Sequence, residues 1–242
     1  METPAPDHPA LQVTAKNSDE ASHKFMTWVF AMMFIALAIS STCVYVFDTY
    51  DYFMRLLFVK GYPTALTYFS LIGPFILSYI IRKRINSTSF TGLCVLFVIY
   101  AMLIGVCFSF ILLMFVDSST FAVFLASCLA YGIMAVIGLF SKQDLTQTRP
   151  VLTFLLAGLI IVTPLVFLFP GLDMDLWFCY GGVFVFLGLS ALHFSDLKEN
   201  GENVDINDPS AKKMAILCSL SLYADFVNLF IFLVGLFGKS SD

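Results

Sequence analysis

Charge is what this chain lacks most. Only 12% of its 242 residues are Asp, Glu, Lys or Arg, about half the share of an average soluble domain. Together with 59% apolar residues, that deficit excludes a soluble globular protein, and it excludes an intrinsically disordered one as well. The net charge is −4, and no basic run is longer than Arg82-Lys83-Arg84. Nucleic-acid binding is therefore not expected. Metal-ligand spacing is missing too. The cysteines at 43, 94, 107, 128, 179 and 218 all fall in apolar runs, where disulfides are not expected and small-residue packing explains them. No alternation of period two runs through the chain, which argues against a β-barrel. The polar residues 1–24 lack the basic start and small-residue cleavage site of a signal peptide and read as a short disordered tail.

What is present is a series of long apolar runs. A bilayer core about 30 Å thick needs about 20 apolar residues per helix, and the chain supplies seven such segments, at about 25–47, 61–81, 88–116, 118–141, 150–170, 176–195 and 214–238. The expected fold is an all-α polytopic membrane protein, with a transmembrane domain over 25–238 and a tail of 239–242. Its main partner is the lipid bilayer. Polar linkers separate the runs: Asp48-Thr-Tyr-Asp51, Asn86-Ser-Thr, Asp117-Ser-Ser, Lys142-Gln-Asp144 and a long loop from Asp196 to Lys213. Pro170-Gly171 ends the fifth run, and Pro74 and Pro164 predict kinks within spans.

The 13 basic residues orient the chain. With a cytoplasmic N-terminus, Lys16, Lys24, Arg82, Lys83, Arg84, Lys142, Arg149, Lys198, Lys212 and Lys213 lie inside, and Arg55, Lys60 and Lys239 lie outside. That asymmetry favours N-terminus in and C-terminus out. Outside, Asp48, Asp51, Asp117, Asp173 and Asp175 are either ordinary loop composition or a mouth that draws cations.

A charge at membrane depth costs about 2.5–3.5 kcal/mol on insertion scales, so Asp225, in the last run, is the most informative residue. Cys218, Ser221, Asp225 and Asn228 share one helical face, a polar stripe that should face the interior. The bland reading is a protonated aspartate that ties helices together; the functional one is an ion, proton or switch site. His193 stands near the end of the sixth run with Asp196 at i+3. Facing Asp225, it would form a coupled pair that titrates near physiological pH. Arg82, Lys83 and Arg84 serve as an orientation signal, or one of them reaches inward to Asp225 or Asp196 as a removable counter-charge. An intramembrane hydrolase using Ser190 and His193 lacks a Gly-x-Ser-Gly motif, and no enzymatic activity is expected.

These residues also carry a resemblance. Ser219-Leu-Ser-Leu-Tyr-Ala-Asp225-Phe-Val-Asn228-Leu-Phe is similar to the last-span signature of the Bax inhibitor-1 (transmembrane Bax inhibitor motif) family, Ser-Leu-Tyr-x-Asp-Phe-Ile-Asn-Leu-Phe. Tyr180-Gly-Gly-Val-Phe-Val-Phe-Leu-Gly-Leu, Tyr131-Gly132 with Lys142-Gln-Asp144-Leu, and Arg82-Lys-Arg-Ile resemble its sixth span, fourth-span loop and second-span end. The resemblance implies seven helices with the seventh central, and a calcium-permeable, pH-sensitive leak or a regulator of stress survival or membrane-protein quality control. No cofactor is implied beyond calcium as a permeant ion. The family's proton sensor is a pair of aspartates latched by the basic end of the second helix. Asp225 matches one of them, and His193 stands where the other should be. Histidine contributes no oxygen ligand, so calcium binding through Asp225 would need Asp196 to swing in. Cations, calcium and protons among them, are the expected small partners. The alternative is a non-conducting regulator that works through contacts with other membrane proteins. The short tail and the lack of a retention signal favour a bacterial inner membrane over a eukaryotic endomembrane.

Overall fold

The computed structural model describes residues 9–49, 58–59, 62–114, 119–140, 145–168, 175–203 and 208–237. Long helices dominate them: α1 (Pro9–Thr49), α2 (Ala65–Lys83), α3 (Phe90–Met114), α4 (Ser119–Phe140), α5 (Arg149–Leu168), α6 (Asp175–Asn203) and α7 (Pro209–Phe237). A 3₁₀ turn, Leu145–Thr148, precedes α5, and a two-residue antiparallel ladder pairs Phe58 with Pro63 and Val59 with Tyr62 before α2. Each helix coincides with one of the apolar runs. Five of them, α1, α3, α4, α6 and α7, are long and apolar enough over the described residues to cross a membrane. α2 carries Arg82 and Lys83 in its last turn.

Two boundaries differ from the sequence expectation. α1 begins at Pro9, so residues 9–24, expected as a disordered tail, continue the helix. Proline suits a first helical turn, where its missing N–H is not needed, and Ala, Leu, Gln and Lys follow it. α6 runs on to Asn203 and α7 starts at Pro209, so most of the expected long loop is helical. Hydropathy marks where the bilayer ends, whereas a helix ends where its backbone ladder is interrupted. Asp208 opens α7: its carbonyl accepts from Ala211 N–H at 3.0 Å, and its carboxylate accepts from the Ser210 hydroxyl at 2.6 Å and the Ser210 N–H at 2.9 Å. These bonds hold the Asp208 carboxyl below the usual carboxylate range. Ser89 does the same at the start of α3, accepting from Gly92 N–H at 3.2 Å. α2 continues through Pro74, whereas Pro170-Gly171 and the acidic loop residues Asp51, Asp117 and Asp173 lie outside the described residues, as do the side chains of Asp48 and Asp175.

The core gathers around α7. This helix packs against α6, α1, α4, α3 and α2, while α5 lies against α6. Leu220, Leu222, Tyr223 and Leu229 of α7 are fully buried. Close approach between helices depends on glycine. A Cβ on Gly138 of α4 would collide with the Ala191 carbonyl of α6, and one on Gly182 of α6 would collide with the Phe232 ring of α7.

Candidate functional site

The polar stripe of α7 faces the bundle, and its hydrogen bonds show how. Asp225 is 3% exposed. Its Oδ2 lies 2.6 Å from Nδ1 of His193 on α6, so the two residues expected to form a pair do so. One proton lies between them, whether the imidazole N–H donates to a carboxylate or the acid donates to a neutral ring. The His193 side chain is the more accessible member, at 24% against 5%. A short contact of this kind is strengthened by the low dielectric of its surroundings. It exists because α6 and α7 are consecutive, antiparallel and packed along their length.

The basic cluster divides into three roles. Arg82 turns inward and donates from Nη2 to Ser221 Oγ at 2.9 Å, one turn before Asp225 on the same face. Lys83 lies over the ring of its own helix's Tyr79, 5.6 Å from the centroid, and Arg84 is exposed. Among the described residues no ion pair joins Arg82 to Asp225 or Asp196; the guanidinium reaches the stripe through a hydroxyl. Ser221 passes its own proton to Leu217 O at 3.0 Å.

Asp196 does not share this arrangement. It pairs with Arg149 at the start of α5, 2.6 Å away, so the two residues suggested as metal ligands, Asp225 and Asp196, are engaged with different partners. Among the described residues no group of three or more His, Cys, Asp and Glu could hold a metal ion. A calcium ion takes six to eight oxygens, and the His193–Asp225 pair brings one carboxylate and one nitrogen. At the ends of the stripe, Asn228 Nδ2 donates to Ala224 O of its own helix at 2.7 Å, and Cys218 Sγ accepts from Asn200 Nδ2 of α6 at 4.0 Å. Ser190 gives its proton to Phe186 O of its own helix at 2.7 Å.

Three groups near the pair escaped the sequence reading. Arg149 is one. Tyr131 of α4 is the second: its hydroxyl donates to the Leu222 carbonyl at 2.8 Å, and its ring packs edge-on against Phe226, centroids 5.5 Å apart. The third is Tyr223, hydrogen-bonded to Ser40 Oγ of α1, which also lies 2.9 Å from the Ala101 carbonyl of α3. Serine has one proton, so when it donates to Ala101 the tyrosine must donate to it. A mid-span tyrosine is the signal that was available, because its buried hydroxyl demands a partner.

The charged residues at these helix ends collect at one end of the bundle. Lys213 reaches the Ile85 carbonyl at 3.3 Å just past the basic cluster, and Lys24 and Lys212 border the same cleft.

A family profile described as "Inhibitor of apoptosis-promoting Bax1" matches residues 22–242. The inner membrane protein YbhL of Escherichia coli (strain K12) is 30% identical over 217 residues, 89% of this chain and 91% of YbhL. An uncharacterized protein of Rickettsia prowazekii is 26% identical over 234 residues, 96% of this chain and 97% of the relative. An uncharacterized membrane protein of Streptococcus pyogenes serotype M3 is 28% identical over 226 residues, 92% and 96% of the two chains.

Proposed function

The chain belongs to the Bax inhibitor-1 family, and on that premise we propose that it is a pH-sensitive cation leak channel, calcium being the first ion to test. It is an integral, multi-pass membrane protein. Our reading adds seven crossings with α7 at the centre, a cytoplasmic N-terminus and a bacterial inner membrane, the location given in the name of its relative YbhL. The collection of basic residues at one end of the bundle supports that orientation.

The observation that carries the reading is the 2.6 Å contact between buried Asp225 and His193. An imidazolium and a carboxylate hold α6 and α7 together. Adding a proton to the acid, or taking one from the ring, removes that attraction in either direction, and the apparent titration belongs to the pair. Arg82, bound to Ser221 one turn away, ties α2 to the same stripe, and Asp196, Tyr100 and Tyr131 complete the titratable surroundings. Losing the ion pair and the Arg82 tie together frees α7 from its neighbours at this level and opens a path. With a histidine in place of the second carboxylate, selectivity for calcium over other cations is modest.

Cation flux into liposomes at several pH values tests this. Asp225→Asn abolishes the pH dependence, and His193→Asp, which restores two carboxylates, raises the calcium share of the flux. Equal, pH-independent flux in wild type and Asp225→Asn would overturn the gating scheme. A second reading, a non-conducting regulator of membrane proteins, is favoured by one feature: the polar side chains of α7 are satisfied within the bundle, as a purely structural network would be. In that case Asp225→Asn lowers stability and there is no flux to lose.

A further inference from the structure

The α6–α7 seam is polar on one side of the His193–Asp225 pair and aromatic on the other. Toward the basic end it carries Asn200 of α6 and Cys218 and Ser221 of α7, with Asn200 Nδ2 4.0 Å from Cys218 Sγ and Arg82 on Ser221. Toward the opposite end α7 has no polar side chain after Asn228, because Leu229 to Phe237 is wholly apolar. Phe232 follows Asp225 by seven residues, which places it on the same face about 10 Å further along the axis. Its ring stacks on Phe186 of α6, centroids 5.7 Å apart and planes at 26°, and meets Phe178 of α6 edge-on at 5.5 Å. Phe178, Gly182 and Phe186 follow one another at intervals of four and so share a face of α6. Between the two phenylalanines the Phe232 ring rests on bare backbone, since a Cβ at Gly182 would collide with it.

We propose that Phe232, seated on Gly182 between Phe178 and Phe186, seals the polar stripe at its outer end and is the hydrophobic gate of the permeation path. Water occupies a seam where it fits and finds polar partners. Around Phe232 the helices touch through rings and backbone, and the nearest hydroxyl on α6, that of Ser190, is bonded to the Phe186 carbonyl. An ion leaving the pair in that direction meets a dry constriction, which stops it without any charge of its own. The pair is therefore reached from the basic end, where the stripe stays polar. As a gate Phe232 rests on the leak-channel reading; as a seal it does not.

The test needs a thiol just inside the seal. Asn228 supplies the position, because its amide bonds to its own helix. Asn228→Cys is placed in vesicles of known orientation, and a membrane-impermeant trimethylammonium methanethiosulfonate is added at the Phe237 end. Peptide mass spectrometry follows its reaction and separates it from the six native cysteines. With Phe232 in place the reaction is expected to be slow. Phe232→Ala should speed it by about tenfold or more, whereas Phe232→Leu, which keeps the apolar bulk, should leave it slow. Phe226→Ala removes the same volume from a different face of α7, where that ring packs against Phe124 and Tyr131, and should also leave it slow. Modification of native Cys218 from the basic end reports in each variant that the bundle is intact. Fast reaction with Phe232 in place, or no acceleration in Phe232→Ala, would overturn the seal. So would an equal acceleration by Phe226→Ala, since general loosening would then account for both. Cation flux separates the seal from the channel: Phe232→Ala should raise the leak. Faster labelling with no leak in either protein would keep the seal and sink the channel reading.

Discussion

α7 and α5 are both helices of a membrane protein, and they are built in opposite ways. α7 carries Ser219, Ser221, Asp225 and Asn228 and is the most enclosed helix, with Tyr223 and Leu229 fully buried. α5 is apolar beyond its first turn, apart from Thr153 and Thr163, yet Phe154 is 78% exposed and Ile161 65%. In water the more apolar helix would be the inner one. In lipid, apolar surface gains little by leaving the hydrocarbon, whereas polar groups find partners only within the protein. The helix with hydrogen bonds to make therefore takes the centre.

The same residue change made on each side of this contrast gives the largest expected difference. Gly182→Leu drives a side chain into Phe232 and the α6–α7 seam, at a cost of about 1–3 kcal/mol or more. Gly158→Leu on α5 meets nothing within 4 Å and should stay within about 0.5 kcal/mol of wild type. Denaturant titration in mixed micelles measures both, and equal losses would break the comparison. Next comes Tyr223→Phe, which leaves Ser40 without its hydroxyl partner and costs about 1 kcal/mol. The smallest effect belongs to Phe154→Ala on the outer face of α5, within about 0.5 kcal/mol. A clear loss there would mean that the face is covered by something other than lipid.

The sequence made much of this legible, for reasons that also explain where it stopped. Hydropathy is a local property, so the seven apolar runs and the seven helices coincide. The polar face of α7 follows from helical periodicity alone, and the His193–Asp225 pair from the packing of two consecutive helices. The end of α6 was illegible because Asp196, Lys198 and Glu199 leave the apolar slab without leaving the helix. The partner of Asp196 was illegible for a different reason. Arg149 is 47 residues away on another helix, and nothing local distinguishes it from the other basic residues at helix ends. The route of Arg82 lay between these cases: its inward turn was expected, whereas its anchor on a serine hydroxyl depends on helix rotation, which periodicity leaves free. Five helices meet the length and apolarity of a span over the described residues.

The bonds to Leu222 and Tyr223 have a mechanical consequence. These two neighbours in α7 are fastened at one level, Leu222 through its carbonyl to Tyr131 of α4 and Tyr223 through its hydroxyl to Ser40 of α1. A rod pinned at one level from two different sides resists sliding along its axis but can still tilt about the pins. Asp225 sits just past that fulcrum, where a tilt moves it little. Lys212 and Phe237 sit at the far ends of the two arms, where the same tilt moves them most. A proton exchanged beside the fulcrum would thus be read out as displacement at the two faces of the membrane.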